Sequence, residues 1–510
     1  MNKRLLNLAC LLTAICVLLS GCWEDPPMDA AAVPSGGEET EADTSVILPA
    51  QFSLPYVPDQ TLDPLTCADG MQQVVGSLLY EGLFRLDRQL EPQPCLCQSY
   101  SYDAASLTYT FVLRSGVTFS DGTPLSAADA ADSLRRAQSS PRYGSRLASV
   151  ASISAGEGTL TVTLSAPNTG FPALLDIPIV KSGSESSLTP LGTGPYVLVQ
   201  EGDGACLTAR ADWWGGGGQP VERIALSAAR DRDAMLYQFS SHAVQLITSN
   251  LIGTDPISAT GNVSYRDADT TVLHFIGINT RRTLFQDSAV RRALSRGINR
   301  DMLVSAVLSG HGRAAQAPVS PVSPLYPVSQ DVLYSYDGFA SVMAEAGLAS
   351  GQTQTVTLLV NAENSFKVSA AEYLAEALSA FDLQIQVEAL PWAEYSAALA
   401  AGNFDLYYGE VRLTADWNLS PLVGTGGALN YGGWADARTD ELLAAFASAS
   451  DRTAAMANLC SHLAEQAPIL PLCFGASSVL YQTGVITGLA PTAAEPFYDL
   501  TSCQIHLQEA

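Results

Sequence analysis

The sequence predicts an α/β fold, and three observations carry that expectation. Strand and helix signals alternate through the body of the chain, and a strand–helix–strand unit is legible between Thr355 and Leu390. Of 510 residues, 47% are hydrophobic and only 15% charged, against roughly 25% charged in an ordinary globular protein, so material for a core is ample. That composition excludes wholesale disorder. At about 150 residues per domain, the length corresponds to roughly three domain-sized units.

The elements follow in chain order. Lys3 and Arg4 precede an almost unbroken apolar run from Leu5 to Ser20, which ends in Leu19-Ser20-Gly21-Cys22. A run this short behind a basic start reads as a secretory signal and not as a spanning helix. The Leu-Ser-Gly-Cys ending resembles a bacterial lipobox, which implies loss of residues 1–21 and a lipid anchor on Cys22. Residues 22–45 are rich in Pro, Gly and acid with no apolar periodicity, the composition of a flexible tether with an r.m.s. span of roughly 25 Å. No later segment has the roughly 20 continuous apolar residues of a membrane span. The expected body is an extracytoplasmic one, held at the cell membrane by its lipid.

Charge narrows the partners. The chain carries 26 Lys and Arg against 51 Asp and Glu, a formal net charge of -25, and loss of the signal leaves 24 basic residues and a charge of -27. Nucleic acid is excluded as a partner, because phosphate neutralisation needs clustered cations.

In the body, Leu107, Tyr109, Phe111 and Leu113 alternate with Thr108, Thr110 and Val112, the pattern of a half-buried strand, and Leu160, Val162 and Leu164 repeat it. Asp121-Gly122 and Gly194-Pro195 mark turns. Ser126 with Asp129 three residues on predicts an N-cap and an Ala-rich helix through Leu134. Tyr80 and Phe84, four apart, are expected to share a helical face. Asn299 is expected to cap a helix over Arg300 to Leu308 that Gly310 ends. Strand 355–360, helix 368–380 and strand 384–389 form a βαβ unit with parallel strands. Phe275-Ile276-Gly277-Ile278-Asn279-Thr280 is a segment suited to carrying the chain between two lobes.

Catalytic and metal motifs are lacking. There is no G-x-S-x-G elbow, phosphate loop, H-E-x-x-H helix or intact G-x-G-x-x-G fingerprint. The five histidines are scattered. The seven body cysteines (Cys67, Cys95, Cys97, Cys206, Cys460, Cys473, Cys503) are odd in number and lack zinc spacing, so they read mostly as small buried residues. No cofactor, metal or covalent chemistry is expected.

One resemblance covers residues 46 to 510. Leu62-Asp63-Pro64, Leu79-Tyr80-Glu81-Gly82-Leu83, the stretch Tyr109 to Leu125, Gly192-Thr193-Gly194-Pro195-Tyr196, Asp212-Trp213-Trp214, Asp231 to Met235, Val290 to Leu294 with Ile298 to Asp301, and Ala467 to Leu472 stand in the order found in the family 5 extracellular solute-binding proteins. The chain resembles the oligopeptide- and dipeptide-binding lipoproteins of ABC importers in that family. The resemblance implies a two-lobed, type II periplasmic-binding-protein-like fold. The first lobe would be residues 46–274 with 488–510, including an inserted subdomain at about 66–189, and the second 275–487. It further implies a monomer that takes a peptide between its lobes and delivers it to ABC permease subunits. Relatives that bind nickel complexes or sugars, a peptide-sensing receptor and an exported hydrolase are the alternative readings.

Site residues follow from the same resemblance. Arg412 to Asn418 aligns with the segment beside an extended peptide, where Asp416 would pair with the ligand's ammonium group and backbone near Arg412 and Thr414 would add strand-like hydrogen bonds. Trp417 is either a wall of the site or a core aromatic. Gly70, in the loop Ala68-Asp69-Gly70, and Leu489 occupy positions that face the cleft in peptide-binding relatives. Asn418-Leu419-Ser420-Pro421 replaces the family's commoner Pro-Asp-Pro, and Arg412 is alternatively a partner for a ligand carboxylate or a structural acid.

Overall fold

The computed structural model describes residues 48–202, 204–257 and 262–509. The expected signal peptide, lipidated Cys22 and tether lie outside these residues. Among them, no helix is long and apolar enough to cross a membrane.

The architecture is mixed α/β. Its largest sheet has seven strands, built on two long antiparallel ones, Val263–Ile278 and Ile469–Gln482. On one flank, Leu246–Ser249 and Gly312–Ala314 pair with Ile469–Gln482. On the other, Leu406–Arg412 pairs antiparallel with Val272 to Ile278. Beyond it lie Gln354–Asn361 and Leu383–Leu390, which run parallel to each other. The register between the two long strands shifts between Asp269 and Leu273, where Thr270 Oγ1 donates to the Gly475 carbonyl at 2.5 Å. Such a bulge bends a strand locally. Of the expected carrier segment Phe275 to Thr280, the first four residues are the end of one of these long strands.

Two four-stranded sheets complete the fold. One comprises Ser53–Tyr56, Arg223–Ala228, Gly204–Ala209 and Tyr196–Glu201 in spatial order, and the other Cys97–Asp103, Thr108–Leu113, Thr159–Leu164 and Val150–Ala155. In the second, Tyr109, Phe111, Leu160 and Val162 turn inward while their threonine neighbours lie nearer solvent, as the alternation predicts. The helix Ala127–Gln138 packs against this sheet. Ser126 caps it in a full capping box with Asp129, an arrangement worth about 1 kcal/mol over an uncapped end.

The βαβ unit is present. Gln354–Asn361 pairs in register with Leu383–Leu390, and the intervening helix Ser365–Leu378 is capped by Asn364, whose side chain accepts from Lys367 N at 3.0 Å. Ala370, Ala371, Leu374, Ala375 and Leu378 recur on one face and are buried.

One local expectation fails, and another holds with a change of helix type: Asn299 caps and Gly310 takes the expected left-handed conformation, with a φ of +82°. Helix Gly70–Leu79 ends before Tyr80, and Phe84 begins a strand, so the two do not share a helical face. Gly82 intervenes with no room for a side chain, since a Cβ there would lie 3.0 Å from the backbone of Asp176 and Ile177. The helix expected over 300–308 is one α-helical turn, Arg300–Met302, capped by Asn299 and followed by π-helical Leu303–Val307. There Ser305 Oγ donates back to the Asp301 carbonyl at 2.8 Å, a competition that loosens regular helix.

The apolar interior sorts by sequence region. One cluster draws on residues 65–179, another on 52–246 with 479–503, and a third on 252–473. A fourth, around Phe275, Tyr407, Trp417, Phe446 and Phe474, takes every member from residues 273–474 except Leu90. All seven body cysteines are buried and unpaired.

Candidate ligand-binding site

Strand Leu406–Arg412 delivers the chain to Asp416. Only its first residues are covered on the side away from Val263–Ile278, where Leu358 pairs with Leu406 and Leu359 with Tyr407. From Gly409 to Arg412 no strand lies alongside that edge among the described residues. An uncovered edge presents backbone donors and acceptors to any extended chain that approaches.

The turn after the strand is held in an unusual conformation. Trp417 has a φ of +57°, costly for a residue with a Cβ, and its N–H donates to the Thr414 carbonyl at 2.9 Å. Its ring is fully buried and lies edge-on to Phe474 with centroids 5.9 Å apart. The core alternative therefore describes Trp417.

Asp416 is 5% exposed. Its Oδ1 accepts from Thr414 Oγ1 at 2.5 Å and from Asn418 N at 3.3 Å, and its Oδ2 accepts from Asn168 Nδ2 at 2.8 Å. Arg452 Nη2 donates to the Asp416 carbonyl at 2.6 Å while its Nη1 donates to Thr169 Oγ1 at 3.2 Å. Burial holds the Arg452 guanidinium below its ordinary pKa, with Asp416 and Glu91 opposing that effect. Arg412 is exposed and forms no ion pair among the described residues. The acid nearest it in sequence, Glu410, is taken by Lys367 at 2.9 Å.

A cavity of about 450 Å³ opens where helix Gly70–Leu79 begins. Asp69 caps that helix, accepting from Met71 N at 2.9 Å and Gln72 N at 3.1 Å. Gly70 lines the cavity with empty space where a side chain would stand, and Met71, Met235 and Ile257 give it apolar walls beside polar Asn250. This is the size and mixed lining of a small-ligand pocket. Leu489 is elsewhere: it is packed with Phe52, Val485 and Phe497 in an apolar cluster and does not line this cavity.

Sequence reasoning missed Asn168 and Arg452. Pro167-Asn168-Thr169-Gly170 is recognisable as a turn, but nothing local signals a partner 248 positions away.

A second largely enclosed carboxylate lies in a different setting. Glu81 Oε2 accepts from Trp214 Nε1 and Thr193 Oγ1, both at 2.8 Å, and Oε1 from Trp213 Nε1 at 3.3 Å. Burial pushes Glu81 up to about 7, with these three donors restraining the rise. It joins the motifs Leu79 to Leu83, Gly192 to Tyr196 and Asp212 to Trp214 into one structural knot.

Residues 91–428 match the model of the bacterial extracellular solute-binding proteins, family 5 Middle. The chain belongs to this family. The glutathione-binding protein GsiB of Escherichia coli O1:K1 / APEC is 28% identical to this family 5 protein over 395 residues, 71% of this chain and 75% of that one. Two solved structures share its fold. The MppA periplasmic murein tripeptide binding protein, in an unliganded open form, matches with a TM-score of 0.74 at 19% identity over 92% of this chain and 99% of that one. A nickel ABC transporter protein from Bacillus halodurans matches with a TM-score of 0.73 at 20% identity over 88% and 98%. The fold is thus that of the type II periplasmic binding proteins, and the role that family membership carries is solute binding.

Proposed function

We propose that this family 5 protein captures a peptide outside the cytoplasmic membrane and delivers it to an ABC permease, anchored through a lipid on Cys22. The observation that carries the peptide reading is the uncovered edge of Leu406–Arg412 running directly into Asp416. A peptide laid along that edge would be recognised through its backbone, near Arg412 and Thr414, whatever its side chains. Its amino terminus would reach Asp416, where Oδ2 has one acceptor direction beyond that used by Asn168. The cavity at Gly70 would receive the body of the ligand. Both long strands of the large sheet pass through the bulge at Asp269–Leu273, the position where a first lobe of 46–274 with 488–510 would turn against a second of 275–487 on closure. Glutathione, the ligand for which the relative GsiB is named, is a peptide and supports the class.

Calorimetry with an equimolar mixture of short peptides tests this reading; absence of heat and of thermal stabilisation would remove it. For Asp416→Asn, the affinity for peptides with a free amino terminus should fall by roughly 10- to 100-fold, the worth of a charge-assisted hydrogen bond, while N-acetylated peptides change little. Equal losses for both would end the ammonium role.

A further inference from the structure

Leu90 stands out from its surroundings. It belongs to residues 65–179 by sequence, yet it is 4% exposed within a cluster whose other members all come from residues 273–474. Its φ is +63°, a conformation that a leucine holds only when its surroundings impose it. The turn beneath it is firmly built: Leu90 N donates to the Asp87 carbonyl at 2.9 Å, and Asp87 Oδ1 accepts from Gln89 N at 2.8 Å and Glu91 N at 3.0 Å.

A second loop from the same region reaches the same neighbourhood. Asn168 donates to Asp416, Thr169 N donates to the Ala447 carbonyl at 2.9 Å, and Thr169 Oγ1 accepts from Arg452. The Arg452 guanidinium is held between this loop and the Phe446 ring, 4.2 Å from its centroid, and a Cβ on Gly170 would lie only 2.7 Å from it. A side chain at position 170 would displace this guanidinium. Leu90 and Trp417, both buried in the same cluster, thus bring two strained residues to the junction, one from each side.

We propose that the Leu90 tip and the loop Asn168–Gly170 form a clasp that shuts the two lobes at Asp416, with Asn168 acting as a positioning residue for that carboxylate. Every contact in the clasp is made by the chain itself, so it contributes to closure whatever occupies the cleft. Because Asn168 reaches Asp416 from the opposite lobe while Thr414 and Asn418 hold only Oδ1, Oδ2 gains its donor only when the lobes meet. Closure and recognition of an amine then become one event, a coupling in the sense of linked equilibria. The inference rests on the two lobes for its mechanics and on the peptide reading only for its ligand.

The test uses the full chain with spin labels at exposed positions, Glu157→Cys and Glu441→Cys, and pulsed dipolar spectroscopy without added peptide. Arg452→Ala and, separately, Leu90→Ser should each shift the distance distribution toward longer values, with circular dichroism confirming that both variants are folded. Gly170→Ala, which crowds Arg452 without touching the apolar cluster, should shift it in the same direction. Distributions identical to wild type in all three variants would overturn the clasp. Asn168→Ala should then lower the affinity for Ala-Ala-Ala about tenfold and for N-acetyl-Ala-Ala-Ala less than twofold. Equal loss for both would remove the positioning role. If neither peptide binds wild type, the peptide reading fails while the distance measurement still decides the clasp.

Discussion

Glu81 and Asp416 are both carboxylates sheltered by the fold and both satisfied by several donors, yet the donors come from different places. Those of Glu81, Thr193 and the indoles of Trp213 and Trp214, bind together motifs of the first 220 residues. Those of Asp416 include its own turn and Asn168, 248 positions earlier. The donors of Glu81 all come from residues 193–214, inside the proposed first lobe, so closure of the lobes gives it no reason to exchange partners. In the proposed two-lobed reading Asp416 stands where the lobes meet, and a partner drawn from across such a junction can be lost and regained. Shelter alone therefore does not mark a carboxylate as functional; the origin of its donors does.

That contrast is broken most directly by removing each carboxylate in turn. Glu81→Ala leaves two indole N–H groups and a buried hydroxyl without an acceptor, and should cost about 3 kcal/mol in denaturant unfolding. Asp416→Ala should cost about 1 kcal/mol, because Thr414 and Asn168 are only half-buried and can turn to water. Equal costs would erase the distinction between a structural knot and a junction.

The same contrast sharpens with pH. A Glu81 carboxyl raised to about 7 binds its proton more tightly in the folded chain than in the unfolded one, so between pH 4.5 and 7 the folded state holds more protons. By linkage its contribution to stability is greatest below about pH 4.5 and is lost as pH rises through 7. The expected loss is about 2 kcal/mol across that window, reduced from the full linkage value because Glu81 is partly exposed. In Glu81→Gln this component should vanish. Thermal melts of both proteins from pH 4.5 to 8 measure it, and parallel curves would contradict it.

The parts of the fold that could be read from sequence are those fixed by near neighbours. The capping box at Ser126, the inward Tyr109 and Phe111, and the βαβ unit at 354–390 depend on residues a few positions apart or on a period of two. Tyr80 and Phe84 misled for the same reason: their spacing suits a helix, but the close backbone approach at Gly82 is a tertiary fact. At the proposed site, Asp416 and Thr414 were named through the resemblance alone, and the side-chain bond of 2.5 Å that joins them was not part of that expectation. Asn168, Arg452 and Leu90 were not named, because each acts on a partner more than thirty positions away and carries no pattern of its own. Leu489 could be placed only by knowing which side of its segment faces the core.

The smallest expected effect lies at Gly70, the counterpart of Asp416 on the cavity side. No atom stands within 4 Å of where its Cβ would be, and its backbone is ordinary helix, so Gly70→Ala should leave stability within about 0.5 kcal/mol of wild type. The added methyl group points into space that the proposed ligand needs. One methyl of misfit in a pocket is worth about 1 kcal/mol, so peptide affinity should fall roughly fivefold with the melting temperature unmoved. A variant that binds as tightly as wild type would show that the ligand touches the Asp416 side alone, and that the cavity at the helix start is not part of its path.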